Sequence, residues 1–157
     1  MSEPRFDTYI KAVFARAEHE ASDDGAATIE PQHVLLAVAA QDGTDAQRVL
    51  DAAGLGYAAL KEALHREFAK SLSTAGVSLD AFDLPRATPD PKHHPQLGGW
   101  FKPAMERVTG ASRGTKDLGS RHLLLGLLEP SVGTIPRALA LSGVDRTALI
   151  ERVRSVP

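Results

Sequence analysis

The sequence predicts an all-α protein made of two tandem four-helix repeats related by pseudo-twofold symmetry. The first observation is an internal repeat, because residues 33–64 and 122–153 align without a gap at an offset of 122 − 33 = 89 positions. Nine of the 32 aligned positions are identical, whereas unrelated segments would share roughly two. The second observation is that aromatic residues make up only 5% of the chain. The core must then be built from Leu, Val and Ala, which suit close-packed helices better than sheets.

The bulk composition narrows the class of protein. A chain of 157 residues is about one domain long, and we treat residues 1–157 as a single domain. The formal charge of −2 argues against a nucleic-acid surface, which would show a basic excess. The absence of cysteine excludes disulfides and thiolate metal sites. No apolar leader or run of about 18 apolar residues occurs, so we expect a cytoplasmic protein that does not bind membranes.

The first repeat, residues 6–70, is predicted to begin with two helices. Apolar residues spaced by three and four positions over residues 6–21 indicate one helix, which Asp23, Asp24 and Gly25 should end. These residues are Phe6, Ile10, Val13, Phe14, Ala17 and Ala21. The second helix opens at Glu30-Pro31, where a first-turn proline costs no hydrogen bond. It continues from His33 to Ala40 and is apolar nearly all round, so it must be largely buried.

Two further helices complete the first repeat. Thr44 or Asp45 can cap a short third helix that ends at Gly54. The fourth helix carries one apolar face, formed by Leu60, Ala63, Leu64 and Phe68. Residues 71–99 hold four prolines and close on two glycines, which is typical of an extended linker. Within it, residues 77–84 are expected to pack back on the helices.

The second repeat, residues 100–156, starts at Trp100-Phe101. Its first helix should be shortened, because Gly110 and Gly114 arrive within two turns. Ser120 is the predicted N-cap of the next helix, which corresponds to the buried helix of the first repeat. Thr134 with Pro136 should cap and start the third helix of this repeat, and Gly143 should end it. Asp145 should cap the fourth helix, whose inward residues are Ala148, Leu149 and Val153.

Candidate catalytic and ligand-binding patterns are weak. Residues 110–116 have the wrong spacing for a phosphate-binding loop, and His93-His94 lacks a third metal ligand. His33 and His122 are kept by the repeat, but no Ser or Cys nucleophile motif accompanies them. We expect each imidazole to bond a neighbouring backbone group in the first helical turn. The sequence therefore predicts no catalytic residue, no cofactor and no metal site.

The duplicated pattern resembles the N-terminal repeat domain of Clp unfoldases of the ClpA/ClpC type. The first copy carries it as Phe6, Ala17, Glu20-Ala21, Ile29, His33, Leu35-Leu36, Val49-Leu50 and Gly54. In that family two such units form one helical domain ahead of ATPase rings. The resemblance implies a non-catalytic module in regulated proteolysis that receives protein substrates or adaptor proteins.

Two departures from the family pattern bear on the ligand. The family usually has Glu before the histidine, and here Gln32 and Arg121 occupy those positions. In some ClpC proteins these glutamates help to hold phosphorylated arginine, whereas Arg121 would repel a guanidinium group. The resemblance by itself therefore does not predict recognition of that tag. The second departure lies near Phe101-Lys102-Pro103, where an acid follows at Glu106 in place of the family lysine.

We predict that a groove between the repeats, flanked by Phe6, Trp100 and Phe101, binds a protein segment, an adaptor or a small apolar peptide. The opposing interpretation is that these aromatic side chains only attach the first helix of each repeat to the core. Two other functions remain open. One is a stand-alone regulator that docks on a Clp ring, or sequesters its substrates or a cyclic peptide. The other is an enzyme that uses His33 or His122.

Overall fold

The computed structural model of the protein describes residues 3–76, 94–111 and 118–156, and these form eight helices and one pair of short strands. Repeat 1 consists of α1 to α4 and repeat 2 of α5 to α8. The elements in chain order are α1 (Phe6–Asp23), β1 (Thr28–Ile29), α2 (Pro31–Ala40), α3 (Asp45–Ala52), α4 (Tyr57–Thr74), β2 (Gln96–Leu97), α5 (Phe101–Ala111), α6 (Ser120–Leu128), α7 (Thr134–Leu141) and α8 (Arg146–Arg154). None of these helices is long and apolar enough to span a bilayer.

The predicted all-α fold of two four-helix repeats is confirmed. Within each repeat the first helix packs on the second, and the second packs on the third and fourth. The contacts between the repeats also come in equivalent pairs, with α1 to α4 corresponding to α5 to α8. Thus α4 contacts α7 and α8 contacts α3, while α2 contacts α7 and α6 contacts α3. Helices α2 and α6 contact each other at the centre. This contact pattern is what pseudo-twofold symmetry requires.

The nine repeat identities fall into a few structural roles. Four leucine pairs are buried in both copies and form the centre of the core: Leu35/Leu124, Leu36/Leu125, Leu50/Leu139 and Leu60/Leu149. Gly54 and Gly143 adopt positive φ angles of 76° and 72° just after α3 and α7, where a side chain would be strained. The alanine and glutamate pairs are exposed. Packing and backbone conformation therefore account for most of the repeat.

The predicted helix boundaries agree with the local chemistry. Helix α1 ends at Asp23 and α2 begins at Pro31, as the sequence indicates. The Thr44 hydroxyl accepts the N–H of Gln47 and caps α3. The Asp145 carboxylate accepts the N–H of Ala148 and caps α8. Each of these side chains satisfies a backbone N–H that has no partner inside the helix.

The shortened first helix of repeat 2 is confirmed, since α5 has 11 residues where α1 has 18. Helix α5 also lies very close to α6. A Cβ atom built on Gly126 would come within 2.6 Å of Val108 Cγ2, so a larger residue there would force the Val108 side chain or one of the two helices to shift. The aligned residue in repeat 1 is Ala37, which is fully buried.

Four local predictions were wrong. Gly119 rather than Ser120 is the N-cap of α6, and Gly133 rather than Thr134 is the N-cap of α7. Ala148 is exposed, and Ile150 is buried with Leu149 and Val153. Phe68 is 54% exposed, although it was predicted on the buried face of α4. The helical periodicity was read correctly in each case, and the error lies in one residue at the edge of a face or at a cap.

The segment between the repeats differs from a plain linker at both ends. Helix α4 continues to Thr74, and Gln96–Leu97 forms a parallel pairing with Thr28–Ile29 that the sequence did not indicate. The expected packing of residues 77–84 lies outside the described residues.

A carboxylate near the N-terminus joins the two repeats. Glu3 accepts the backbone N–H of Asp45 at the start of α3 and, 3.2 Å away, that of Ser120 at the start of α6. The Ser120 hydroxyl also donates to Glu3, and its oxygen accepts the N–H of Ala46 at 3.0 Å. A negative charge is favourable at helix N-termini, so one side chain stabilises a helix from each repeat.

Candidate functional site

Two of the three predicted aromatic residues lie together where the repeats meet. Phe101, the first residue of α5, packs edge-on against Phe14 of α1 with ring centroids 5.2 Å apart. Trp100 packs against Phe101 at 6.1 Å, with the ring planes nearly perpendicular. We call Phe14, Trp100 and Phe101 the aromatic cluster. Edge-to-face geometry of this kind is favourable between aromatic rings.

The indole of Trp100 is fixed by the backbone of repeat 1. Its Nε1 donates to the carbonyl oxygen of Ile29 at 2.7 Å, and the N–H of Gly98 donates to the same oxygen at 3.2 Å. A side chain at Gly98 would collide with Glu30 and with the Trp100 ring. The short β1–β2 pairing therefore holds the aromatic cluster in place.

The three rings of the aromatic cluster are half-buried. The rings of Phe14 and Trp100 pack on the hydrophobic core, and all three rings remain partly accessible to solvent. The sequence presented a choice between an exposed binding surface and simple packing residues. The cluster combines both properties, because Phe14 and Trp100 contact the core while all three rings keep part of their surface exposed.

Phe6 is not part of the aromatic cluster. Its ring lies 6.2 Å from that of Tyr9, one turn along α1, and it is also half-buried. Eight residues separate Phe6 from Phe14, which corresponds to about 12 Å along a helix axis. The sequence missed Phe14 as a neighbour of Phe101, although Phe14 was part of the predicted apolar stripe of α1.

The two repeated histidines bond backbone groups, as predicted. His33 Nδ1 accepts the N–H of Glu30 at 3.0 Å, and His122 Nδ1 accepts the N–H of Gly119 at 2.9 Å. Each ring thus satisfies the backbone donor at the N-cap of its own helix. Because Nδ1 is an acceptor, Nε2 carries the proton in the neutral ring.

The second ring nitrogen differs between the repeats. His33 Nε2 lies 2.9 Å from the Asp24 carboxylate, and the ring is fully buried. His122 Nε2 has no hydrogen-bond partner within the described ranges. Burial lowers the pKa of His122, and the adjacent Arg121 guanidinium lowers it further. His122 is therefore neutral at physiological pH.

The structure also bears on metal binding. They hold no group of three or more His, Cys, Asp or Glu side chains arranged to bind a metal ion. His94 instead pairs with Glu18 of α1 at 3.0 Å on the surface. His93 and most of the glycine-rich segment at residues 110–116 fall outside the part of the chain that the structure describes.

The comparisons with known proteins identify the family. The sequence model of the family named Clp repeat (R) N-terminal domain matches residues 5–88, which is 88 − 5 + 1 = 84 of the 157 residues. The chain belongs to this family. The match covers repeat 1 and extends into the segment that follows it, so repeat 2 of this Clp N-terminal domain lies outside the matched region. A search of curated proteins gave no significant match.

Solved structures support the same fold over nearly the whole Clp N-terminal domain. The N-terminal domain of the chaperone ClpD from Arabidopsis thaliana superposes with a TM-score of 0.66 at 18% identity, covering 99% of this chain and 96% of that one. The Hsp104 N-terminal domain from Candida albicans gives 0.58 at 13% identity, with 93% and 87% covered. A structure from investigations of a malarial protein secretion system gives 0.62 at 16% identity, with 97% and 93% covered. At these identities the likeness establishes the fold alone.

Proposed function

We propose that this chain is a non-catalytic protein-binding module that receives polypeptide substrates or adaptor proteins for a Clp ATPase in regulated proteolysis. Membership of the Clp N-terminal domain family is the observation that carries this proposal. We further propose that Phe6, Trp100 and Phe101 contact the bound polypeptide. Half-buried aromatic residues are suited to this role because they are already partly ordered and lose little conformational freedom on binding.

The position of the aromatic cluster supports the proposed contact surface. It joins α1 of repeat 1 to the start of α5 in repeat 2, and the Trp100 indole is anchored to Ile29. An anchored ring presents the same face to every ligand. The histidines support the non-catalytic assignment, because each uses Nδ1 to satisfy a backbone N–H instead of activating a nucleophile.

A binding assay with an unfolded polypeptide tests the proposal. Labelled casein should bind the wild-type chain, and Phe101→Ala should weaken this binding by roughly tenfold, as expected for an aromatic residue at the centre of an interface. Fluorescence anisotropy measures the affinity, and circular dichroism checks that the variant is folded. The matched control is Phe68→Ala, which removes an exposed phenylalanine from α4.

Equal effects of the two phenylalanine variants, or no binding by the wild-type chain, would refute the proposed surface. Unfolding of Phe101→Ala would show that Phe101 serves the core, and Phe6→Ala would then test the surface independently. A pull-down from lysate distinguishes the stand-alone regulator, because Clp subunits rather than client proteins would dominate the eluate.

A further inference from the structure

A cleft of about 570 Å³ opens on repeat 2 between α5, α6 and α8. Its polar lining consists of Arg107, Arg121, His122, Glu129 and Arg154, and we call it the arginine cleft. It is distinct from the aromatic cluster, since it shares no residue with it. Its volume falls within the usual range for ligand-binding clefts.

The charges lining the arginine cleft are not balanced. Three guanidinium groups face one carboxylate, that of Glu129. Arg154 is partly neutralised, since it pairs with Glu151 at 3.1 Å and approaches Glu129 at 3.7 Å. Arg107 and Arg121 have only backbone carbonyl partners among the residues that the structure describes, namely Gly126 and Val156. Within residues 3–76, 94–111 and 118–156, these two guanidinium groups therefore keep unused donors and have no carboxylate partner.

His122 adds a neutral donor to the same cleft. Its ring is 7% exposed, its Nδ1 is occupied by the Gly119 N–H, and its Nε2–H lacks a partner in the described part of the chain. In repeat 1 the corresponding donor is satisfied by the carboxylate of Asp24. The described residues of repeat 2 thus supply no acceptor that corresponds to Asp24 of repeat 1.

We propose that the arginine cleft binds a polypeptide segment that carries adjacent Asp or Glu side chains. This inference rests on the proposed function for the polypeptide nature of the ligand, while the charge of the cleft selects the acidic class. Guanidinium groups bind carboxylates through paired, charge-assisted hydrogen bonds, and two of them match two neighbouring carboxylates. The Nε2–H of His122 then supplies a further donor to a carboxylate oxygen.

A pair of matched peptides tests the acidic preference. A labelled peptide with several consecutive glutamates should bind the wild-type chain, and the same peptide with glutamines in their place should bind at least tenfold more weakly. Binding of the acidic peptide should also weaken as salt rises, because the interaction is electrostatic. Fluorescence anisotropy at low and at physiological ionic strength measures both effects.

Single-charge variants locate the binding site. Arg121→Gln and Arg107→Gln should each lower the affinity for the acidic peptide by roughly tenfold. The matched control is Arg66→Gln, which removes the same charge from an exposed position on α4. Two variants are needed, because Arg121 also bonds the Val156 carbonyl and its loss could loosen the C-terminal segment.

Several results would overturn the inference. One is equal affinity for the glutamate and glutamine peptides. Another is a loss of affinity in Arg66→Gln as large as in the two cleft variants. The third is an unchanged affinity in both Arg107→Gln and Arg121→Gln. The outcome is separable from that of the proposed function. If casein binding depends on Phe101 but the acidic peptide does not bind, the module stands and the arginine cleft is not its acidic-segment site.

Discussion

The two repeats use the same histidine in the same way at Nδ1 and differ at Nε2. In repeat 1, His33 Nε2 is hydrogen-bonded to Asp24, the residue directly after the long helix α1. In repeat 2 the first helix is seven residues shorter, 18 against 11, and no described acid reaches His122 Nε2. The aligned histidine borders the arginine cleft instead.

This difference separates the part of the repeat that serves folding from the part that can vary. The bond from Nδ1 to the N-cap satisfies a helix end and is present in both copies. At Nε2 repeat 1 supplies Asp24 as a partner, whereas the described residues of repeat 2 supply none. The bond at the helix end is thus the part of the histidine environment that both copies share.

The largest expected difference in stability between the two repeats concerns the repeated arginine. Arg137 binds Glu67 of α4 at 2.8 Å, and the Glu67 side chain is only 6% exposed. Among the residues that the structure describes, its repeat partner Arg48 forms an ion pair with Asp45 alone, on its own helix α3. Arg137→Ala should lower the free energy of unfolding by about 2 kcal/mol, because a buried carboxylate loses its ion partner. Arg48→Ala should lower it by less than about 0.5 kcal/mol.

Urea unfolding of the two arginine variants measures this difference. Replacing Glu67 by Gln in the Arg137→Ala background should recover part of the loss, because the uncompensated charge is then removed. Equal losses for Arg48→Ala and Arg137→Ala would mean that the ion pair between repeats does not contribute to stability.

A smaller effect is expected where α5 lies close to α6. Gly126→Ala should lower the free energy of unfolding by about 1–2 kcal/mol, since the new methyl group collides with Val108. The better helix propensity of alanine, about 1 kcal/mol, offsets part of the strain. In repeat 1 the aligned change Ala37→Gly should also destabilise, by about 1 kcal/mol, because alanine fits there.

A double-mutant cycle with Val108→Ala tests the cause of the Gly126 effect. The cost of Gly126→Ala should largely disappear when Val108 is shortened. An unchanged cost would place the strain elsewhere along α6.

The smallest effect concerns pH. The pKa of His122 is lowered by burial and by Arg121, so the unfolded chain binds this proton more readily than the folded chain does. The contribution of His122 to stability is therefore complete above the unfolded pKa of about 6.5 and decreases as the pH falls below it. NMR titration of the His122 ring should show a higher pKa in Arg121→Gln.

The corresponding stability measurement uses His122→Asn, whose side-chain oxygen can replace Nδ1 as the acceptor for Gly119. Below pH 6.5 this variant should lose less stability than the wild-type chain, while His19→Asn, on the surface of α1, serves as the control. Identical pH profiles for wild type and His122→Asn would contradict the assignment.

The sequence predicted those parts of the fold that depend on neighbouring residues. Pro31, Gly54 and Asp145 each mark a helix end through local backbone chemistry, and the structure agrees at all three. The bond from each histidine to its own N-cap spans three residues and was predicted for the same reason. Periodicity likewise located the buried leucines of α2 and α6.

Contacts between distant segments could not be predicted in this way. The Glu3 bond to Ser120 spans 117 positions, and the Arg137 bond to Glu67 spans 70. Neither has a local signal, because its geometry exists only after the helices have packed. The arginine cleft was missed for the same reason, since Arg107, Arg121 and Arg154 come from three different helices.

The carboxylate of Glu3 has a mechanical consequence. It accepts hydrogen bonds from the first turns of both α3 and α6. A force applied to the residues that precede α1 is therefore shared by the two repeats. Bonds loaded together resist separation better than bonds broken one after another. A force transmitted through residues 3–5 would thus strain the contact between the two repeats before it could unfold either repeat alone.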